Sequence, residues 1–135
     1  MDYSLTERKK FSDDRGFLIE FLKKSELGEE KSAFGQIYLA IISPGTIRGN
    51  HYHTTKDEYF AVVNGKVFVI LEDVATGERV EFTLDSAQEK VSRLRVGANV
   101  AHAITNVGDS DVVLCAYTDK EYDPANLDQE DYQIT

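Results

Sequence analysis

The chain has 135 residues, 41% of them hydrophobic and 29% charged, with a net charge of −9. That length fits one domain whose core needs no disulfide or metal staple, and the acidic balance argues against nucleic acid or an anionic membrane as the main partner. The single cysteine, Cys115, rules out an intrachain disulfide and reads as a small core residue in VVLCAY. No apolar run is long enough to span a membrane and MDYSLTERKK has no hydrophobic signal core, which together favour the cytoplasm.

Long amphipathic helical patterns are absent. Short runs rich in Val, Ile, Phe, Tyr and Leu alternate with turn signals, the texture of an all-β sandwich or barrel. Residues 8–12 and 16–22 flank SDDRG, a hairpin loop. SELGEEKS is polar and reads as a loop or one helical turn. The strand at 35–43 ends at Pro44-Gly45. GNHYHTT and EYFAVV follow, then a tight turn at Asn64-Gly65, where positive φ is tolerated. KVFVILED, a turn at ATGE, RVEFTL, the polar run SAQEK, VSRLRV, HAITNV and DVVLCAYT complete about eight to ten strands, the spacing of a jelly-roll barrel. The acidic end, EYDPANLDQEDYQIT, reads as a solvated segment. No Gly-rich dinucleotide fingerprint or P-loop is present.

The chain has three histidines, and two of them are one residue apart. On a strand, residues i and i+2 share a face, so His51 and His53 project together and Tyr52 points the other way. Glu58 opens the next strand and can swing back beside them. His102 opens a later strand and can close the site from across the barrel. Three imidazoles and a carboxylate suit Zn, Fe(II), Mn, Ni, Co or Cu, and suit Mg and Ca poorly. Histidine is also a proton acceptor near neutral pH. One nitrogen cannot ligate a cation and accept a proton, so these two roles compete for His51.

The spacing Gly45, His51, His53, Glu58, Gly65 is similar to the first cupin motif without gaps. Gly97, Asn99, His102 and Asn106 stand at the places of the second. There Gly97 replaces the usual Pro, and Asn99 replaces Gly at a place where positive φ is needed. The wording RGNHYHTTKDEYFAVVNG, with DDRGFLIEFL, GQIYLAIISPGTIRGNHYH and HAITNVGDSDVVLCAYTDKEYDP, resembles the cupin half of the bifunctional capsular-polysaccharide enzymes. Those process UDP-linked 4-keto amino sugars, and they belong with the RmlC-like sugar-nucleotide epimerases and isomerases. The resemblance covers nearly the whole chain. It implies a single cupin jelly roll (double-stranded β-helix) over 1–135, with N-terminal strands at a homodimer interface in 1–34, a barrel core at 35–118 and an acidic segment at 119–135.

It also implies a divalent transition metal on His51, His53, Glu58 and His102. Zinc is the first choice, with Fe, Mn or Ni as alternatives. Metal-free relatives carry RGxHYQ, or RGxHxH without the carboxylate, so His53 and Glu58 point to the metal-bearing branch. The expected activity is epimerisation or ketoisomerisation beside the ketone of a 4-keto-6-deoxy hexose nucleotide, with no reduction, because no reductase half is present. The competing readings are a metal-dependent cupin oxygenase or other small-molecule enzyme, and a non-enzymatic sugar-binding cupin. For catalysis the candidates are His51, His53, Arg48 and one of the seven tyrosines, Tyr52, Tyr59 and Tyr117 among them, with Tyr117 preferred and a second carboxylate as the alternative base. For the nucleotide sugar they are Arg48, whose planar guanidinium suits a diphosphate, Asn50 and Lys56. Asn50 is also placed to orient a ligating histidine. Arg93 and Arg95 can add positive potential but read first as ordinary structural charges, and Asn106 reads as a pin for the turn before Val107-Gly108.

Overall fold

A computed structural model describes residues 1–31 and 33–135. Its architecture is two five-stranded antiparallel sheets and a small hairpin. One sheet runs β1 (Tyr3–Lys9), β9 (Lys90–Val96), β6 (Glu58–Asn64), β11 (Val112–Thr118), β4 (Gln36–Ile42). The other runs β12 (Glu130–Asp131), β5 (Ile47–Tyr52), β10 (Val100–Asn106), β7 (Lys66–Asp73), β8 (Arg79–Asp85). The hairpin is β2 (Phe11–Asp13) with β3 (Gly16–Leu18), across the predicted SDDRG turn. Each sheet keeps two free edges, so the strands form a sandwich and do not close into a hydrogen-bonded barrel.

Period-two burial builds the core. Phe60 and Val62 of β6, Val67, Val69 and Leu71 of β7, Leu94 and Val96 of β9, and Leu114 and Ala116 of β11 point between the sheets. Ile42, Val100 and Ile104 extend the same cluster. Asn106, 1% exposed, is the polar pin that was expected. Its amide donates to the carbonyls of Ile42 and Ser110, and its Oδ1 accepts from Gly108 N–H. Cys115 is half-buried opposite Leu39. Burial pushes its thiol up, away from reactivity.

The N-terminal strand β1 pairs with β9, from Tyr3↔Val96 to Lys9↔Lys90. Two regions differ from expectation. Two short 3-10 turns, Lys24–Glu26 and Glu29–Lys31, run into and through the polar SELGEEKS stretch; its last residue, Ser32, lies outside the described residues. The acidic C-terminal segment is not merely solvated: residues 128–135 lie along β5 and are tied to it repeatedly, β12 pairing Glu130↔Tyr52 and Asp131↔His51. Net acidity had pointed outward because composition cannot register which carboxylates find donors.

Candidate functional site

The site lies between the sheets. β5 and the residue after it bring His51 and His53, β10 brings His102, and Glu58 comes from the first position of β6 in the facing sheet. A backbone irregularity aims the histidines. Along β10 and β5 the register runs His102↔His51, then Ala103↔Gly49, so Asn50 is an extra residue. Gly49 and Asn50 have φ of 108° and 57°. A β-bulge of this kind re-aims the side chains beside it, here placing His51 directly opposite His102. Gly49 is required twice over, because a Cβ there would collide with the His102 carbonyl oxygen. On the other side Asn99, with φ 62°, turns its N–H onto the His53 carbonyl at 2.7 Å. The expected positive φ at Asn99 is thus observed, and the turn locks the end of the HxH segment.

His51 and His53 have ring centroids 5.1 Å apart, and His51 meets His102 edge-on at 4.7 Å. Ligand-capable atoms of His51, His53 and Glu58 all lie within 4.8 Å of one another. His102 sits just outside that trio, with its Nε2 3.9 Å from Glu58 Oε1. All four predicted ligands therefore converge, three of them tightly.

The His53–Glu58 contact is the informative one. His53 Nδ1 is bonded to the backbone carbonyl of Asp128. A carbonyl can only accept, so Nδ1 carries the proton and neutral His53 presents its Nε2 lone pair to the site. That Nε2 lies 2.8 Å from Glu58 Oε1, a buried oxygen that receives no directed hydrogen bond. Two lone-pair atoms so close require a positive charge between or upon them, either a proton on His53 or a cation. The donor set, borderline nitrogens with one carboxylate oxygen, is that of zinc and its first-row neighbours. The residues fit a divalent transition ion.

The charges of the groups agree. Burial would raise the Glu58 carboxyl, but His53 and the neighbouring imidazoles hold it down at about 2. Burial pushes His53 down, yet Glu58 outweighs burial and its pKa is raised. Burial lowers His102 to about 4 against the pull of Glu58, and lowers His51 with help from His53.

Two cavities meet at this cluster. One of about 380 Å3 is lined by Arg48, His51, His102, Tyr38 and apolar residues of β4, and one of about 210 Å3 by His51, His53, Glu58, Lys56, Tyr38 and Tyr122. The predicted substrate contacts Arg48 and Lys56 therefore stand at the site. Asn50 does not: its side chain accepts from Ile134 N–H and donates to the Thr135 carbonyl, facing the C-terminal segment. Tyr117 does not either. It projects from the outer face of its sheet, where its hydroxyl accepts from Gly35 N–H and donates to the Ala33 carbonyl beside the rings of Phe34 and Tyr59. Tyr59 shares that face, and Tyr52 packs edge-on against Tyr132. Strand alternation explains the outcome, because Thr118 is the β11 residue paired with Glu58, and Tyr117 is one position off that face.

The tyrosine that reaches the cluster is Tyr38, which sequence reasoning passed over. Its hydroxyl donates to Glu58 Oε2 at 3.4 Å. Burial, reinforced by the Glu58 charge, pushes the phenol well above its ordinary range, so it stays protonated. The signal that could have found it is alternation in QIYLAII, where Gln36, Tyr38, Ala40 and Ile42 share the inward face.

Comparison with known proteins now decides the family. The polysaccharide biosynthesis C-terminal domain matches residues 11–130. The chain belongs to that family. It is 32% identical over 117 residues to the UDP-2-acetamido-2,6-beta-L-arabino-hexul-4-ose reductase of Pseudomonas aeruginosa, covering 87% of this chain and 29% of that protein. It is 28% identical to the spore coat polysaccharide biosynthesis protein SpsL of Bacillus subtilis, covering 89% and 80%. Among solved structures it resembles the capsular polysaccharide assembling protein CapF of Staphylococcus aureus at TM-score 0.71 and 29% identity, covering 94% of this chain and 34% of that one. A dTDP sugar isomerase of Desulfovibrio desulfuricans G20 superposes at TM-score 0.83, covering 97% and 83%, and at 20% identity shares the fold. The chain thus spans only about a third of the reductase and of CapF. No helix among the described residues is long and apolar enough to cross a membrane.

Proposed function

We propose that the chain is a nucleotide-sugar epimerase or ketoisomerase of cell-surface polysaccharide biosynthesis, moving a proton beside the ketone of a 4-keto-6-deoxy hexose nucleotide. The observation that carries this reading is the junction of Glu58, His51, His53 and Tyr38 at the meeting of two cavities, with Arg48 and Lys56 on their walls. A proton shift next to a ketone needs a proton acceptor, a proton donor and a stabiliser for the developing enolate oxygen.

His51, His53 and Glu58 would hold a divalent transition ion, with the His102 nitrogen in reach, and such an ion supplies Lewis-acid polarisation of a ketone. The rest is work for the chain's own side chains. Tyr38 keeps its proton and is placed to donate it at the substrate. Arg48 and Lys56 supply positive potential for the diphosphate in an otherwise acidic protein. His51, half-buried and lowered in pKa, is neutral at pH 7 and would accept the proton in a loaded site where His53, Glu58 and His102 hold the ion without it. The variant His51→Asn assigns its role. Loss of turnover with cation content kept makes it the acceptor, and loss of both makes it a ligand.

The reading is tested by incubating the protein with a 4-keto-6-deoxy nucleotide sugar in deuterated water. Deuterium at C3 or C5 by NMR is the expected result. No wash-in with any nucleotide base would remove the proposal. A homodimer belongs to the same reading. The edge strand β4 has no charged residue, in a chain of net charge −9, and it exposes Ile37, Leu39 and Ile41. Sedimentation equilibrium is expected to give twice the chain mass.

A further inference from the structure

The C-terminal segment does something specific to the site. Asp128 accepts four hydrogen bonds through its carboxylate. Thr54 N–H and Oγ1 reach Oδ1 at 2.7 Å each, and Thr55 N–H and Oγ1 reach Oδ2 at 2.8 and 2.6 Å. The backbone carbonyl of the same residue accepts from His53 Nδ1. Beyond it the strand continues to be fastened: Tyr132 N–H donates to the Asn50 carbonyl, Tyr132 hydroxyl to Glu72, and Asn50 takes the last two residues. Gln129 and Tyr122 from the same segment line the smaller cavity.

From this we infer that residues 128–135 are a positioning strap. By clamping Thr54 and Thr55, Asp128 fixes its own carbonyl on His53 Nδ1. This selects the tautomer whose Nε2 lone pair faces Glu58 and so sets the cation affinity of the site. Nothing in the His-x-His spacing chooses between the two tautomers of a neutral imidazole; the partner of the second nitrogen does. Without the Asp128 carbonyl, His53 is free to put its proton on Nε2 and donate to the bare Glu58 oxygen. That contact satisfies both groups but blocks the cation. The coupling is reciprocal, so a bound cation also holds the strap down. The inference rests on the proposed cation site for its affinity arm, while the tautomer arm stands without any cation.

The test uses the full-length protein, wild type and Asp128→Ala. Long-range proton–nitrogen NMR of the metal-free protein reads the His53 tautomer, and competition with a chromogenic chelator reads Zn2+ affinity. At a pH where metal-free His53 is neutral, the wild type is expected to show the Nδ1–H form. Asp128→Ala should show a mixture or the Nε2–H form and bind Zn2+ about 10- to 100-fold more weakly, as loss of an outer-shell partner does. If Asp128→Ala does not fold, Thr54→Ala/Thr55→Ala removes two of the four bonds and should shift both readouts in the same direction by less. An unchanged tautomer and unchanged Zn2+ affinity, with hydrogen exchange showing the strap released, would overturn the inference. A shifted tautomer in a protein that binds no Zn2+ at all would uphold the strap and sink the cation site instead.

Discussion

The centre and the periphery of the site are built differently. At the centre, β5, β6 and β10 carry the groups that touch one another, and each is there because of local geometry: alternation for His51 and His53, a strand start for Glu58, a bulge for the facing of His51 and His102. At the periphery, edge strand β4 and the C-terminal strap carry Tyr38 and Asp128, which act on the central groups from the two sides. The centre supplies charge and lone pairs. The periphery decides where the protons sit. A site made only of the centre would leave a lone pair and a carboxylate in contact with their protonation unspecified.

The largest expected effect strikes the centre. Glu58→Gln removes the one anionic oxygen and should weaken Zn2+ binding by more than about 100-fold, exceeding what an outer-shell partner contributes, with turnover falling to background. Equilibrium metal analysis and the deuterium wash-in assay both read it. At the periphery, Tyr38→Phe should lower turnover by about 10²- to 10⁴-fold, the usual range for a general acid, and leave metal content unchanged. If metal content falls with it, Tyr38 belongs to the centre and the division fails.

Acid should expose the centre next. His102 has a folded pKa of about 4, below its ordinary value, so stability is lost as pH falls from about 6.5 toward 4 while the unfolded imidazole charges first. Glu58, held at about 2, adds a further loss below about 4.5. His53 runs the other way: its pKa is raised, so its contribution is full below about 6.5 and is lost as pH rises through its folded value. Thermal unfolding of chelator-treated protein at pH 7, 5.5 and 4 is therefore expected to show a falling midpoint, and His102→Asn a flatter acid limb. A wild-type midpoint that rises on acidification would contradict the charges assigned here. Smaller again, Asn99→Ala forces a β-carbon residue without a helpful side chain into φ 62° and should cost about 1 kcal/mol in urea unfolding. Tyr117→Phe, on the outer face, is expected to leave turnover within about twofold, and a large loss there would move the proton donor off Tyr38.

The difference between the two regions also explains what the chain discloses before folding. His51, His53 and Glu58 lie within eight positions of one another, and strand periodicity alone puts two of them on one face. The second motif supplies His102, and Asn99 could be read as a positive-φ residue because so few residue types tolerate one. The all-β class followed from alternation and turn chemistry. Tyr38 and Asp128 lie 20 and 70 positions from Glu58, and only the pairing of β4 with β11 and of β12 with β5 brings them near. Tyr117 lies one position off Thr118, the residue paired with Glu58, and one position on a strand reverses the face. The acidic tail is mostly exposed, as its charge suggests, but its fastening to β5 was not legible. Counting its charge gave no hint that Thr54 and Thr55 offer one carboxylate four donors.

The account is tested most directly by following solvent deuterium into a 4-keto-6-deoxy nucleotide sugar while the protein is titrated from chelator-stripped to fully loaded with Zn2+. Wash-in at C3 or C5 that rises in proportion to bound ion and saturates at one ion per chain is the predicted result. Full-rate wash-in by stripped protein, or none at full occupancy, would contradict it.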